Sequence, residues 1–124
     1  MSEIEVQFPD MRERVASAVR HLADPQYQQR VWIRREYPHS EYYDDFTLTF
    51  NTLDDTAVLV DPHAAIGITL SSVTEADAMQ QLAERLDEIL DAVGGTSPDS
   101  DFLASPLWSG VVDAARNALD VLTR

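Results

Sequence analysis

The 124-residue chain has no cysteine, no lysine, only four glycines and no apolar run of bilayer length. Without a thiol there is no cysteine nucleophile, disulfide framework, cysteine-ligated zinc or iron–sulfur cluster. Without lysine there is no side-chain Schiff base and no P-loop lysine. A membrane-spanning helix needs about 20 apolar residues, so none is expected. The opening Met1-Ser2-Glu3-Ile4-Glu5 is acidic and short of apolar residues, unlike a secretory signal or transit peptide. A cytoplasmic location is therefore expected, and with no cofactor or phosphate motif, no cofactor is expected either.

The residues present form an ordinary globular composition, 44% hydrophobic and 25% charged, which predicts one domain over 1–124. A chain of this size can bury about two-thirds of its surface without a covalent staple. The net charge of −13 is uneven: through Arg35 six arginines face five acids, whereas from Glu36 onward three arginines face seventeen acids. Such a surface repels phosphate and anionic headgroups, so neither nucleic acid nor membrane is an expected partner. A basic protein is the natural counterpart, and association of two copies through a helix face remains open.

Apolar spacing predicts a bundle. Asp10 and Glu13 resemble a capping box before Met11, Val15, Ala18, Val19 and Leu22, giving a helix over 11–23. Asp24-Pro25 starts a short helix over 25–30, with Val31-Trp32-Ile33 either continuing it or extended. Pro38 places 35–41 in a loop. Over 42–53, alternation of Phe46, Leu48 and Phe50 fits a strand, whereas Phe46, Phe50 and Leu53 fit a helix with Asp44 and Asp45 near its first turn. Helix is favoured, because a strand would have only Ala57–Val60 to pair with. Asp61-Pro62 predicts a helical segment through Leu70. Met79, Leu82, Leu86, Ile89, Leu90 and Val93 then share one face of a long helix, opposite Asp77, Glu84, Asp87, Glu88 and Asp91, ended by Gly94-Gly95. A turn or two over 98–103 and a helix after Ser105-Pro106, carrying Leu107, Trp108, Val111, Val112, Ala115, Ala118, Leu119 and Leu122, complete the chain. The expected fold is all-α, a bundle of about five to six helices with a short extended segment allowed around 46–60.

Tyr42-Tyr43-Asp44-Asp45-Phe46, Asp54-Asp55-Thr56, Asp61-Pro62 before Ile66-Gly67, and Asp101-Phe102-Leu103-Ala104-Ser105-Pro106-Leu107-Trp108 occur in that order. Together they resemble a family of small acidic uncharacterised bacterial proteins, mainly actinobacterial, similar to α-helical immunity proteins of contact-dependent and polymorphic toxin systems. The chain departs from that family at Thr47-Leu48-Thr49, where the family has a more acidic helical run. The resemblance implies a helical fold and toxin neutralisation by binding, without enzymatic activity.

Four constellations bear on chemistry. Asp54, Asp55, Asp61 and His63 bring three carboxylates and an imidazole within ten residues, a set hard cations favour, although the spacing matches no EF-hand or His-Glu-x-x-His motif. A metal-dependent hydrolase or sensor is the alternative function this set suggests, against turn and capping roles for the same residues. His21, His39 and His63 are far apart in sequence and no nucleophile elbow accompanies them, while Glu36, Glu41, Asp44 and Asp45 could supply paired carboxylates. Arg30, Arg34 and Arg35 around Trp32 and Tyr37 suit stacking on bases, or internal pairing with acids and a core tryptophan. Tyr42, Tyr43, Asp44 and Asp45 with Asp54, Asp55 and Asp61 form the expected partner-binding surface, since aromatics anchor and carboxylates pair with basic side chains.

Overall fold

In the computed structural model, which describes residues 5–56 and 58–124, helix α1 (Pro9–Leu22) begins on a proline with no side-chain cap. Met1–Ile4, which carry most of the leaderless reading, and Ala57 of the 57–60 run lie outside the described residues. The expected Asp10 cap gives way to an earlier start because proline's fixed φ suits the first helical position, and Asp10 instead faces the positive end of the helix dipole. Asp24 does cap α2 (Pro25–Tyr27), accepting from the Tyr27 N–H at 3.1 Å. This single turn runs into a π-helical segment, Gln28–Ile33, so Val31-Trp32-Ile33 continues the helix. Its wide turn brings Gln28, Val31 and Trp32 all inside.

The 42–53 ambiguity resolves as helix α3 (Phe46–Asp55). Asp45 caps it, accepting from Leu48 N–H at 2.7 Å, and Phe46, Thr49 and Leu53 turn inward at helical spacing. Two threonines of the segment are bonded within this arrangement: Thr49 Oγ1 donates to Asp44 and Thr52 Oγ1 to the Leu48 carbonyl. The extended segment allowed around 46–60 is accordingly absent among the described residues, with 58–60 forming a turn.

Asp61 caps only a 3-10 turn, Pro62–Ala65, with Ala64 N–H at 3.4 Å. The helical segment expected through Leu70 stops there, because Gly67 at φ 88° and a Gly67 N–H to Leu70 carbonyl bond of 2.7 Å fold the chain back on itself. Helix α4 (Val73–Val93) follows, capped by Ser72 and ended by Gly94 at φ 100°, where a side chain would be strained. Helices α5 (Asp99–Ala104) and α6 (Trp108–Leu122) close the bundle.

Helix α6 packs on both α1 and α4, while α3 packs on α1 and the 3-10 turn on α4. Ala114, Ala115 and Ala118 are buried on α6, and such small side chains permit close helix approach. The core draws Val15, Val19 and Leu22 from α1, Leu82, Leu86 and Ile89 from α4, and Val111 from α6. Burying each such side chain contributes about 1.5–3 kcal/mol. The acidic face expected on α4 is exposed throughout. Phe46 joins the α3 start to the rest, its ring 6.1 Å from Trp32, 4.6 Å from Phe102 and 5.5 Å from Trp108. No described helix is long and apolar enough to cross a membrane.

Candidate functional site

The loop between the π-helical segment and α3 carries Tyr42–Asp45, and its geometry is set by one buried carboxylate. Asp44 Oδ2 accepts from the Tyr27 hydroxyl at 2.7 Å and Trp32 Nε1 at 2.8 Å, and lies 3.1 Å from His21 Nδ1; Oδ1 accepts from Thr49 Oγ1 at 2.9 Å. Burial alone raises a carboxyl's pKa, but these donors, led by His21, outweigh it and hold Asp44 below the usual range. A carboxylate only accepts, so His21 Nδ1 carries the proton of that contact. The Tyr27 ring stacks on His21 at 4.1 Å, and its hydroxyl, donating to Asp44, accepts from Tyr42. Burial and these bonds raise the Tyr27 hydroxyl far above its ordinary pKa. Asp44 is thus an internal anchor and does not face a partner.

Tyr43 in the loop and Leu48 on α3 face outward. Tyr43 is 55% and Leu48 43% exposed; Tyr43 donates its hydroxyl to Asp45, a bond that pushes its pKa up to about 12. Asp45, Leu48, Thr52 and Asp55 recur at three, four and three residues, so they lie along one stripe of α3. Tyr43 and Leu48 border an open groove of about 260 Å³ between α1 and α3, whose walls include Arg14, Ser17 and His21. On the other side of the loop, Tyr43 and Asp45 also border a cavity of about 340 Å³ with Trp32, Tyr37 and Asp99.

The remaining expected residues disperse. Asp54 and Asp55 are exposed at the end of α3, and Asp61 caps the 3-10 turn on α4. His63 turns to Asp77, its Nε2 2.8 Å from Oδ1. Among the described residues no group of three or more histidines, aspartates or glutamates is placed to hold a metal ion. The Asp54, Asp55, Asp61 and His63 set is therefore not assembled: a helix end, a cap and an ion pair use these residues separately. Trp32 is in the core, Arg34 pairs with Glu36 at 2.9 Å, and the Arg30 guanidinium lies 5.8 Å from the Tyr27 ring. These arginines serve internal contacts.

Gln28 is a residue sequence reasoning passed over, and His21 one it weighed only for catalysis. Gln28 is fully buried, donating to the carbonyls of His21 and Leu22 at 2.9 and 3.0 Å and accepting from Trp108 Nε1 at 2.9 Å. It thereby satisfies the open end of α1 and ties it to α6. The only local signal for His21 is its position in the last turn of α1, where an imidazole suits the helix dipole.

Residues 6–124 match the family model of a domain of unknown function, DUF7945. Searches of curated proteins and of solved structures each found no match.

Proposed function

Taking as premise that the chain belongs to the DUF7945 family, whose description assigns no activity, we propose that it is a non-catalytic module that binds a basic protein. The observation that carries this reading is the outer stripe of α3 with the loop before it: exposed Leu48 and Tyr43 set among Asp45 and Asp55, neither of which makes a salt bridge among the described residues. An apolar anchor with a polar, solvent-accessible rim is the usual anatomy of a protein-binding patch. The excess of acids beyond Glu36 steers a cationic partner toward it. Resemblance to immunity proteins of bacterial toxin systems supports a toxin as that partner, neutralised in the cytoplasm. Asp54 and Asp61 belong to the surrounding acidic field, and Asp44 and Tyr42 hold the loop from behind.

The test is to capture binding proteins from lysate of the source organism at low salt, purify the prey and titrate it. Leu48→Ala and the pair Asp45→Asn with Asp55→Asn should each weaken binding about tenfold or more, the charge change also flattening its salt dependence. A basic toxin as prey should lose its toxicity on co-expression. A prey whose affinity ignores both substitutions and salt overturns the reading.

A further inference from the structure

The 340 Å³ cavity beside Tyr43 combines two properties that rarely coincide. Its walls include aromatic side chains, Trp32, Tyr37 and Tyr43, with the Tyr37 and Tyr43 ring centroids 5.8 Å apart. It also holds two carboxylates, Asp45 and Asp99, that make no salt bridge among the described residues. Each accepts a main-chain N–H at the start of α3: Asp45 from Leu48, Asp99 Oδ2 from Phe46 at 3.0 Å. The bonds fix both groups in place, and the Tyr43 hydroxyl adds a third, to Asp45. Arg35, the one cationic wall residue, acts on Asp99 at a distance and makes no ion pair with either carboxylate among the described residues. The volume is at the low end for ligand sites, room for about ten waters at ~30 Å³ each, enough to admit one long side chain.

We propose that this cavity seats an arginine side chain of the basic protein partner, its guanidinium held by Asp45 and Asp99 and lying against the faces of Tyr37 and Tyr43. The inference rests on the binding function proposed above and names its anchor. Guanidinium fits better than ammonium because it is planar, weakly hydrated, stacks on aromatic rings and donates in several directions at once. Two carboxylates offered from different helices match that fork. The state of Asp99 agrees: burial raises its pKa, Asp45 and Asp44 add to the rise, and the Phe46 N–H and the charge of Arg35 oppose it without cancelling it. A cation entering the cavity relieves that strain among like charges.

The experiment is an NMR titration of the full ¹⁵N-labelled chain with N-acetyl-arginine N-methylamide, alongside the lysine and uncharged citrulline analogues. The arginine probe should give saturating shifts at the amides of Tyr43, Asp45 and Ser100, lysine weaker ones, and citrulline none. Asp45→Asn with Asp99→Asn keeps both main-chain acceptors, so the fold is retained, and should weaken the arginine probe about tenfold or more. Tyr43→Leu, which removes a ring wall and the hydroxyl on Asp45 but keeps both charges, should weaken it less. Shifts that do not saturate, that centre on the α4 acidic face, or that citrulline matches overturn the proposal; equal binding of lysine overturns the preference for guanidinium. A basic partner that binds tightly and is indifferent to Asp45→Asn with Asp99→Asn removes this seat and leaves the binding module standing. Probe binding lost in that variant, in a chain for which no basic partner is found, supports the seat and removes the protein-partner reading.

Discussion

Two buried carboxylates, Asp44 and Glu75, solve one problem in opposite ways. Around Asp44 the partners are His21 and three uncharged donors, Trp32, Tyr27 and Thr49. Glu75 is met by a full guanidinium: Arg12 binds it through two nitrogens at 2.8 and 2.6 Å, and the Ser71 N–H donates to it at 2.7 Å. Arg12 also reaches the carbonyls of Thr69 at 3.1 Å and Leu122 at 3.3 Å, so one ion pair joins α1, the start of α4 and the end of α6. The Glu75 centre fastens helices that stay internal. The Asp44 centre fastens a loop whose next residues form the proposed binding stripe. Several separate donors share the work around Asp44 that a single guanidinium does for Glu75.

The widest separation between the two should come from truncation. Asp44→Ala orphans four donors and should cost about 3–5 kcal/mol in urea unfolding, with little dependence on salt. Glu75→Gln leaves Arg12 facing a neutral amide and should cost about 2–3 kcal/mol, less than a fully buried pair because Arg12 keeps some solvent contact. Its cost should shrink in high salt. Equal salt sensitivity of the two variants would erase the distinction.

Acid titration sharpens it further. Both carboxyls titrate below their ordinary values of 3.8 for Asp44 and 4.5 for Glu75, burial being outweighed by His21 and its companions in one case and by Arg12 in the other. A lowered folded pKa gives stability that is complete above the unfolded value and is lost as pH falls through the folded one. The Glu75 share should therefore begin to fade near pH 4.5 and the Asp44 share nearer 3.8, and Glu75→Gln should flatten the upper part of the acid limb in a circular-dichroism titration.

The smallest effect has the opposite sign. Asp99, whose pKa is raised chiefly by burial, contributes most when protonated and loses that contribution as pH rises through its folded value. Asp99→Asn keeps the acceptor for Phe46 and should stabilise the chain at pH 7 by about 0.5–1 kcal/mol. A loss of stability there would show that the carboxylate serves the fold.

The sequence makes the helices legible where apolar spacing is long, as on α4 and α6, and where an Asp-Pro pair marks a start, as at Asp24 and Asp61. Asp45, Asp54, Asp55 and Tyr43 are legible as exposed polar or aromatic positions in an acidic stretch. Asp44 reads the same way, yet lies inside, because its partners come from α1, α2, the π-helical segment and α3 and no local pattern announces them. Arg12 and Glu75 are 63 positions apart, and Gln28 belongs to a residue type that is normally exposed. Polar pairing across a core depends on how helices pack, whereas amphipathic spacing depends only on the helix itself.

The sequence holds two tryptophans, and their rings meet edge to face with centroids 6.2 Å apart. One indole N–H is bound by Asp44 and the other by Gln28. The chain is consequently self-labelled: its tryptophan emission arises from the junction where α1, the π-helical segment and α6 are tied together. Any disturbance of the loop that presents Tyr43 has a direct optical path to be seen, with no dye attached and no residue replaced.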